Sequence, residues 1–435
     1  MLFRSANLFS AVCAAVTLVV LRRAIALATR APWCALGAVA FLGVSFPFWS
    51  SAVAAEVYTL HGVFIALMLW LGLRWRATRR RRDFLLGALV VGLSFGNHMS
   101  SALLVPAIAF FGWRTVRSRP LSLTTWVEGL ALSALGPLTY VYLPLRYAAK
   151  PAVNWVLNTN MDLTTLEGVL WMVRGRVFNI YMFYYGPLGV LGEIRSFGVL
   201  LWQSFTGVGL VAAALGLWVQ ARRHGTLAVT LGLMAFCHAA FFVNYEVMDK
   251  NTMFLPVFLV LAFWLGEALN AGAIRLASLE TGRPVAWLPA SLTILLVGWL
   301  AWSTYPRVNL SRYDEPRTYG ERILREAPPG ALIVGFWLNI TPLLYLQTVE
   351  GLRPDVEVFD WGSFGIARQA ALRAGGLPKR QARRIARRLI GDRIEFELAA
   401  GRTVLATEAD DALTERFTLV PRGDIYTLCE AGGCK

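Results

Sequence analysis

The chain has 435 residues, of which 56% are hydrophobic and only 16% are charged. Soluble domains contain about 45–50% apolar and about 25% charged residues, so this composition excludes an ordinary soluble protein. The net charge of +15 would suit nucleic-acid binding, but the arginines form short clusters between apolar blocks and no soluble module carries a basic, aromatic face.

The apolar residues form blocks of about 15–23 residues, close to the length of helix that crosses a hydrocarbon core about 30 Å thick. Unbroken apolar runs favour helices over the alternating strands of a membrane barrel. The predicted fold class is therefore an α-helical polytopic membrane protein of about ten spans with a small C-terminal α/β soluble domain. The spans are predicted at 7–21, 33–50, 53–73, 84–97, 99–113, 123–144, 197–219, 226–246, 253–271 and 285–303.

The distribution of arginine predicts the orientation of these spans. A re-entrant turn at Gly96-Asn97-His98 between the two short spans keeps the arginines of 79–82 and 114–119 on one side. The positive-inside rule assigns that side to the cytoplasm. Both termini and the loop 145–196 are then expected outside the cytoplasm, in a multi-pass protein of the bacterial inner membrane.

The long outer loop 145–196 is predicted to belong to a transmembrane domain that covers residues 1–303. Within it, segment 163–185 mixes aromatic and apolar residues with Arg174 and Arg176. This pattern indicates either helices lying at the membrane interface or a helix packed on the outer ends of the bundle, and the sequence leaves both open.

An extracytoplasmic α/β domain is predicted for residues 304–435, where the composition changes. Short strands are indicated at 331–336, 356–360 and 403–407, and helices are indicated between them at 316–326, 341–349 and 378–390. The length of about 130 residues is sufficient for a single core.

Polar residues fall at one level, at the outer ends of the predicted spans. Ionisable groups near membrane depth are costly and therefore mark functional sites, although residues near helix ends can also simply reach interfacial water. The predicted catalytic residues are Glu56, His98 and Asp249. The predicted substrate-binding residues are Tyr58, Asn97, Arg146, Asn154, Trp155, Asn244 and Tyr245.

Such a set suits transfer from an anionic lipid-linked donor. Arg146 would hold a phosphate through its forked donors, while Glu56 or Asp249 would act as a general base or bind a divalent metal ion. His98 would orient a substrate or leaving group. The sequence lacks a Gly-rich nucleotide loop, an HExxH motif and CxxC pairs, which disfavours a soluble-nucleotide enzyme or a zinc protease.

Several segments, taken in order, resemble a known family. They are FPFWSSAVAAEVYTLHGVF (46–64), GLSFGNHMSSALLVPA (92–107), LPLR (143–146), Asn154-Trp155, NYEVMD (244–249), FLP (254–256) and YLQTVEGLRPDVEVFD (345–360). This set is similar to the membrane family related to the transmembrane protein O-mannosyltransferases of GT-C fold. The resemblance implies a polyprenyl-phosphate-linked sugar donor, with mannose as one candidate sugar. It also implies transfer to a protein, lipid or glycan acceptor on the non-cytoplasmic face.

The resemblance also implies a further helix and an acidic loop before Asn7, which would supply the catalytic carboxylate. The 435 residues alone are therefore expected to lack activity. Two alternatives remain open from the sequence: a transporter or lipid flippase, which would need inverted repeats that are not seen, and a non-catalytic member of the family.

Five cysteines are present, and two of them, Cys429 and Cys434, are close together near the C-terminus. The expected extracytoplasmic location favours a disulfide between them, and the glycines at 432 and 433 allow tight closure. The alternative is a pair of free thiols on a frayed tail.

Overall fold

A computed structural model describes residues 2–118, 120–150, 161–278, 288–430 and 433. The chain forms two compact units. Unit 1 comprises Met1–Tyr140 and Tyr181–Leu310, and unit 2 comprises Val141–Ile180 and Ser311–Lys435.

The regular secondary structure of unit 1 is helical in its described part, apart from one isolated β-bridge. Its helices are α1 (Leu2–Thr29), α2 (Pro32–Gly43), α3 (Phe46–Val53), α4 (Tyr58–Thr78), α5 (Arg81–Asn97), α6 (Val105–Val116), α7 (Leu123–Leu138), α10 (Pro187–Arg223), α11 (Gly225–Val243), α12 (Lys250–Met253), α13 (Leu255–Ala277) and α14 (Leu288–Val308). A 3-10 helix, Met99–Leu104, joins α5 to α6, and another, Thr139–Val141, follows α7.

Six helical segments of the described chain are long and apolar enough to cross a membrane: Ala6–Thr29, Tyr58–Thr78, Met99–Val116, Pro187–Arg223, Gly225–Val243 and Leu255–Ala277. The pair α2 and α3, bent by 68°, makes a seventh if it is one broken span. The chain is therefore a multi-pass membrane protein. Helices lie at all ten predicted positions, but α5, α7 and α14 do not meet the same test, so ten spans are not confirmed.

Helix α13 lies at the centre of unit 1. Its residues from Leu255 to Glu267 are all buried, as expected of a helix that is apolar on every side. It packs against α10, α11 and α2. Gly216 of α10 allows the closest approach, because a Cβ there would overlap the Trp264 carbonyl oxygen.

A second close crossing joins α5 and α7. A Cβ at Gly136 would overlap the Gly92 carbonyl oxygen, and one at Gly92 would overlap the carbonyl oxygen of Ser133. Small residues permit such backbone contact between membrane helices. The crossing fixes α5, which ends at Asn97, and so positions the turn that follows.

Unit 2 contains a five-stranded sheet and helices. Its helices are α8 (Tyr142–Ala148), α9 (Leu166–Val173), a 3-10 helix (Arg176–Ile180), α15 (Glu315–Glu326), α16 (Trp337–Glu350), α17 (Trp361–Ala374), α18 (Lys379–Ala399) and α19 (Asp411–Thr414). Its strands are β1 (Leu332–Gly335), β2 (Glu357–Asp360), β3 (Val404–Ala406), β4 (Thr418–Arg422) and β5 (Ile425–Cys429).

The strand order is β2-β1-β3-β5-β4. Strands β1, β2 and β3, which coincide with the three strands indicated by the sequence, are parallel, and β5 pairs antiparallel with both β3 and β4. The sheet is covered on both faces, since Ile333 and Leu405 pack with Leu343 of α16, whereas Val334 and Val404 pack with Ile394 of α18.

The predicted outer loop 145–196 is divided between the two units. Residues 163–180 form α9 and the 3-10 helix after it, and these pack within unit 2, where Trp171 contacts Ala370 of α17. This segment thus packs against α17, a contact that neither interpretation from the sequence predicted. A contact between residues about 200 positions apart leaves no pattern in the local sequence.

Candidate active site

The candidate site lies at one end of unit 1, where three helices meet. Glu56 lies two residues before the start of α4, His98 follows α5, and Asn244 follows α11. The arginine cluster 74–82 lies at the opposite end of α4. The structure therefore brings together predicted residues that are up to about two hundred positions apart in the chain.

Tyr58 and Asp249 form the central contact of this site. The buried Tyr58 hydroxyl donates a hydrogen bond to the Asp249 carboxylate. Asp249 lies between α11 and α12, where it caps no helix with its side chain. Its charge is therefore directed towards the site instead of into a helix terminus.

Glu56 is held by its backbone next to this pair. Its amide donates to the Ser10 hydroxyl at 3.2 Å, and that hydroxyl donates back to the Glu56 carbonyl oxygen at 3.3 Å. Partial burial raises the pKa of the Glu56 carboxyl, and the negative charge of Asp249 raises it further. Two carboxylates that act on each other in this way are typical of acid–base sites.

The turn after α5 rests on the start of α4. The Asn97 side-chain amide donates to the Val57 carbonyl oxygen at 3.3 Å. The His98 ring lies 5.6 Å from the Tyr58 ring, centroid to centroid. Burial lowers the pKa of His98, although the charge of Asp249 opposes this shift, so a neutral imidazole is favoured beside the carboxylates.

Behind His98 lies a set of residues that the sequence did not single out. The Ser100 hydroxyl is 2.7 Å from His98 Nδ1 and 3.2 Å from His61 Nε2. His238 of α11 follows, with its ring 6.5 Å from that of His61. His61 lies one helical turn after Tyr58, and this i, i+3 spacing was the one signal that could have identified it.

His61 and His238 are 2% and 0% exposed. Within the described chain, His61 Nδ1 and His238 Nε2 lack hydrogen-bond partners. Because His61 and His238 lie in apolar helices, the sequence pattern around them is typical of core residues. The His98, His61 and His238 rings nevertheless form a row, with His98 next to Tyr58 and His61 5.5 Å from His98.

The segment after α11 is fixed by a short β-bridge between Met182 and Tyr245. Asn244 Oδ1 accepts a hydrogen bond from the Tyr185 amide at 2.8 Å, which gives Asn244 a positioning role. Burial, then the charge of Asp249, raise the pKa of the Tyr245 hydroxyl to about 12. Tyr245 therefore stays protonated and can donate a hydrogen bond.

Lys250 is a further residue that the sequence did not single out. Its ammonium lies 2.6 Å from the Glu193 carboxylate and 3.9 Å from that of Glu246. Lys250 directly follows Asp249 in the chain. Its ammonium group nevertheless pairs with Glu193, near the start of α10.

Three predicted substrate-binding residues are not placed in this cluster. Arg146 lies on α8, exposed, in unit 2. Asn154 and Trp155 lie outside the described residues. Among the described residues, no group of three or more His, Cys, Asp or Glu side chains could hold a metal ion, so no metal ligand is assigned.

Two solved structures share features with this chain. The structure of ArnT from Cupriavidus metallidurans bound to undecaprenyl phosphate aligns with a TM-score of 0.49 and 14% identity over 96% of this chain and 83% of that chain. ArnT in the apo state aligns with a TM-score of 0.45 and 14% identity, over 97% and 83% of the two chains. Both scores are below 0.5, so no conclusion rests on them.

The family comparison is more informative. Residues 3–120 match the model of the protein O-mannosyl-transferase TMEM260 N-terminal domain, a range that includes Glu56, Tyr58, Asn97 and His98. The mouse protein O-mannosyl-transferase TMEM260 is 27% identical over 346 residues, which cover 72% of this chain and 47% of that protein. This chain thus spans about half the length of that relative. These matches confirm the resemblance predicted from the sequence: the chain is similar to the transmembrane protein O-mannosyltransferases.

Proposed function

We propose that this protein is a membrane glycosyltransferase of GT-C type that uses a polyprenyl-phosphate-linked sugar as donor. Mannose is the candidate sugar, and a protein, lipid or glycan hydroxyl on the non-cytoplasmic face is the acceptor. The observation that carries the proposal is the pair of carboxylates, Glu56 and Asp249, whose charges act on each other; Tyr58 donates a hydrogen bond to the second of them, and the chain is similar to TMEM260.

Glu56 is the proposed general base. Sugar transfer forms a bond between the anomeric carbon and the acceptor oxygen, while the bond from that carbon to the donor phosphate oxygen breaks. The acceptor proton passes to the Glu56 carboxylate, and the phosphate leaves with the bonding electron pair. Because burial and Asp249 raise the pKa of Glu56, its carboxylate is a stronger base than an ordinary glutamate.

Asp249 and Tyr58 have a supporting electrostatic role. The Asp249 charge faces the sugar, which develops positive character as the phosphate leaves. The hydrogen bond from Tyr58 holds this carboxylate in one orientation. His98, neutral and adjacent to Tyr58, would orient a substrate hydroxyl, and Asn97 and Tyr245 would supply further polar contacts.

Donor binding needs a cation for the phosphate. Arg146 is the proposed residue, because its planar guanidinium donates two parallel hydrogen bonds to phosphate oxygens. Asn154 and Trp155 are proposed as further substrate-binding residues.

The test is a transfer assay with the protein purified with its full N-terminus, polyprenyl-phosphate mannose and a peptide rich in serine and threonine. Glu56→Gln keeps the size of the side chain but removes the base, so kcat should fall by about 10²–10⁴ with little change in KM. Glu167→Gln, which alters an exposed glutamate on α9, is the matched control. A Glu56→Gln protein that transfers mannose at the wild-type rate would refute the assignment of Glu56.

A further inference from the structure

A large cavity lies at the arginine-rich end of unit 1, between α4, α5, α6, α7 and α11. Its volume is about 610 Å³, and its lining is almost entirely apolar, including Leu73, Phe111 and Met234. Leu130 and Trp113, which also line it, are 68% and 53% exposed, so the cavity opens on the surface of the bundle. In a helix bundle that crosses a membrane, this surface faces lipid chains.

Arginines lie beside the aromatic residues of this cavity. The Arg76 guanidinium is 5.7 Å from the centre of the Phe111 ring. Arg114 and Arg117 are 5.9 and 5.8 Å from the centre of the Trp113 ring. Since both rings line the cavity, the cations are held at its edge.

Arg79 adds a fourth positive charge to this group. It lies within electrostatic reach of Arg76, as does Arg114, and its guanidinium donates to the Thr115 carbonyl oxygen at 2.5 Å and to the Ser118 hydroxyl at 2.9 Å. Like charges this close repel one another unless an anion lies among them.

The protein itself does not supply that anion within the described residues. Asp83, the carboxylate in the cavity lining, pairs with Arg74, and Glu128 pairs with Arg81. By contrast, no carboxylate of the described chain forms an ion pair with Arg76, Arg79, Arg114 or Arg117, the four arginines associated with the cavity rim. The cavity edge thus has an uncompensated positive charge next to an apolar interior.

We propose that this cavity binds an anionic phospholipid of the bilayer. The lipid phosphate would lie among the four arginines, and an acyl chain would fill the apolar interior. Arginine forms charge-assisted, bidentate hydrogen bonds with phosphate, and basic pockets between membrane helices bind anionic headgroups. The site is at the opposite end of α4 from Glu56, so it does not depend on the proposed transferase activity.

The test uses the full chain, purified in detergent and stripped of lipid, with bound lipid counted by native mass spectrometry. Phosphatidylglycerol is the probe, and phosphatidylcholine, which has no net charge, is the comparison. The wild type should retain phosphatidylglycerol preferentially. The Arg114→Gln/Arg117→Gln variant should lose about tenfold in affinity, as expected when charge-assisted contacts are removed.

The matched control is Arg222→Gln/Arg223→Gln at the end of α10. Arg222 lies over the Trp218 ring at 4.5 Å, the same kind of contact, but Trp218 does not line the cavity. This variant should bind phosphatidylglycerol as the wild type does. An equal loss of phosphatidylglycerol affinity in the two variants would show that the lipid is attracted by surface arginines in general, and it would overturn the proposal.

A second pair of variants tests the cavity itself. Gly87 and Gly112 line it, and a Cβ at either position meets nothing within 4 Å. Leucine at both positions, where the added Cβ meets open space, should occupy part of the cavity and reduce phosphatidylglycerol binding. Gly232→Leu, also free of neighbours but outside the lining, should not. Unchanged binding in the filled variant, or displacement of the phospholipid by an equimolar polyprenyl phosphate, would refute a phospholipid site.

Discussion

The Tyr58 hydroxyl donates to the Asp249 carboxylate across 191 positions of the chain. This contact joins the start of α4 to the loop after α11, so Asp249 can act on Glu56 only while the two segments are held together.

Asp249→Asn should shift the acid limb of the pH–rate profile to lower pH. Transfer requires ionised Glu56, whose pKa is raised above its ordinary value by burial and by the charge of Asp249. Removing that charge lowers the pKa, so Glu56 stays ionised in more acidic solution. The midpoint of log kcat/KM against pH is the measurement, because the overall rate will fall too.

Glu246→Gln is the control for this shift. Glu246 belongs to the same loop, but its charge acts on Tyr181 and is not among the causes of the Glu56 shift. Its midpoint should match that of the wild type. A midpoint that stays fixed in Asp249→Asn would contradict the coupling.

Gly136→Ala should destabilise unit 1. Its methyl group would overlap the Gly92 carbonyl oxygen where α5 crosses α7, so the helices must separate and displace the turn at Asn97. Overpacking of this kind costs about 1–3 kcal/mol, which lowers the Tm in detergent. Gly87→Ala on α5, the other helix of this crossing, adds a methyl group that meets nothing within 4 Å and should leave Tm unchanged or raise it; similar losses in both variants would indicate a general effect of replacing glycine in these helices.

Arg146→Ala should weaken the binding of the polyprenyl-phosphate donor. Loss of a charge-assisted hydrogen bond costs roughly 1.5–3 kcal/mol, equivalent to about ten- to a hundredfold in Kd. Lys150→Ala removes another cation four residues further on and should change Kd little. Unchanged donor affinity in a folded Arg146→Ala protein would exclude Arg146 from the donor site.

The proposed orientation can be tested with single cysteines in a cysteine-free background. Thr78→Cys and Ser118→Cys, at the arginine-rich end, should resist an impermeant thiol reagent applied to intact cells. Met248→Cys, 74% exposed in the loop of the candidate site, should be labelled. The reverse pattern would place the candidate site in the cytoplasm.

Counting thiols tests the predicted disulfide. Cys13, Cys34 and Cys237 are free, and Cys429 is disulfide-bonded. Cys434, its predicted partner, lies outside the described residues. The unreduced, denatured protein should show three free thiols, whereas five would exclude the bridge.

The sequence predicted those features that depend on local patterns. Apolar length located the helices, and polar residues at helix ends identified Glu56, Tyr58, His98 and Asp249, which the structure brings together. Helix ends are informative because a charged group there must have a structural or chemical reason to lie near membrane depth.

Features that depend on long-range packing could not be predicted in this way. His238 lies in an apolar helix and has the local pattern of a core residue, so only its distance to His61 reveals its place in the site. Likewise, no periodicity indicates that Arg146 and α9 belong with the C-terminal sheet, since that association depends on contacts such as that between Trp171 and Ala370.

Because unit 2 combines Val141–Ile180 with Ser311–Lys435, the order of synthesis constrains its assembly. The first stretch leaves the ribosome before α10, α11, α13 and α14 are made, and Trp171 then has no Ala370 to cover it. During insertion into the membrane, the apolar surface of this first stretch therefore stays exposed until residues 311–435 have been synthesised. Aggregation of unfinished chains, and any need for a chaperone, should therefore centre on residues 161–180.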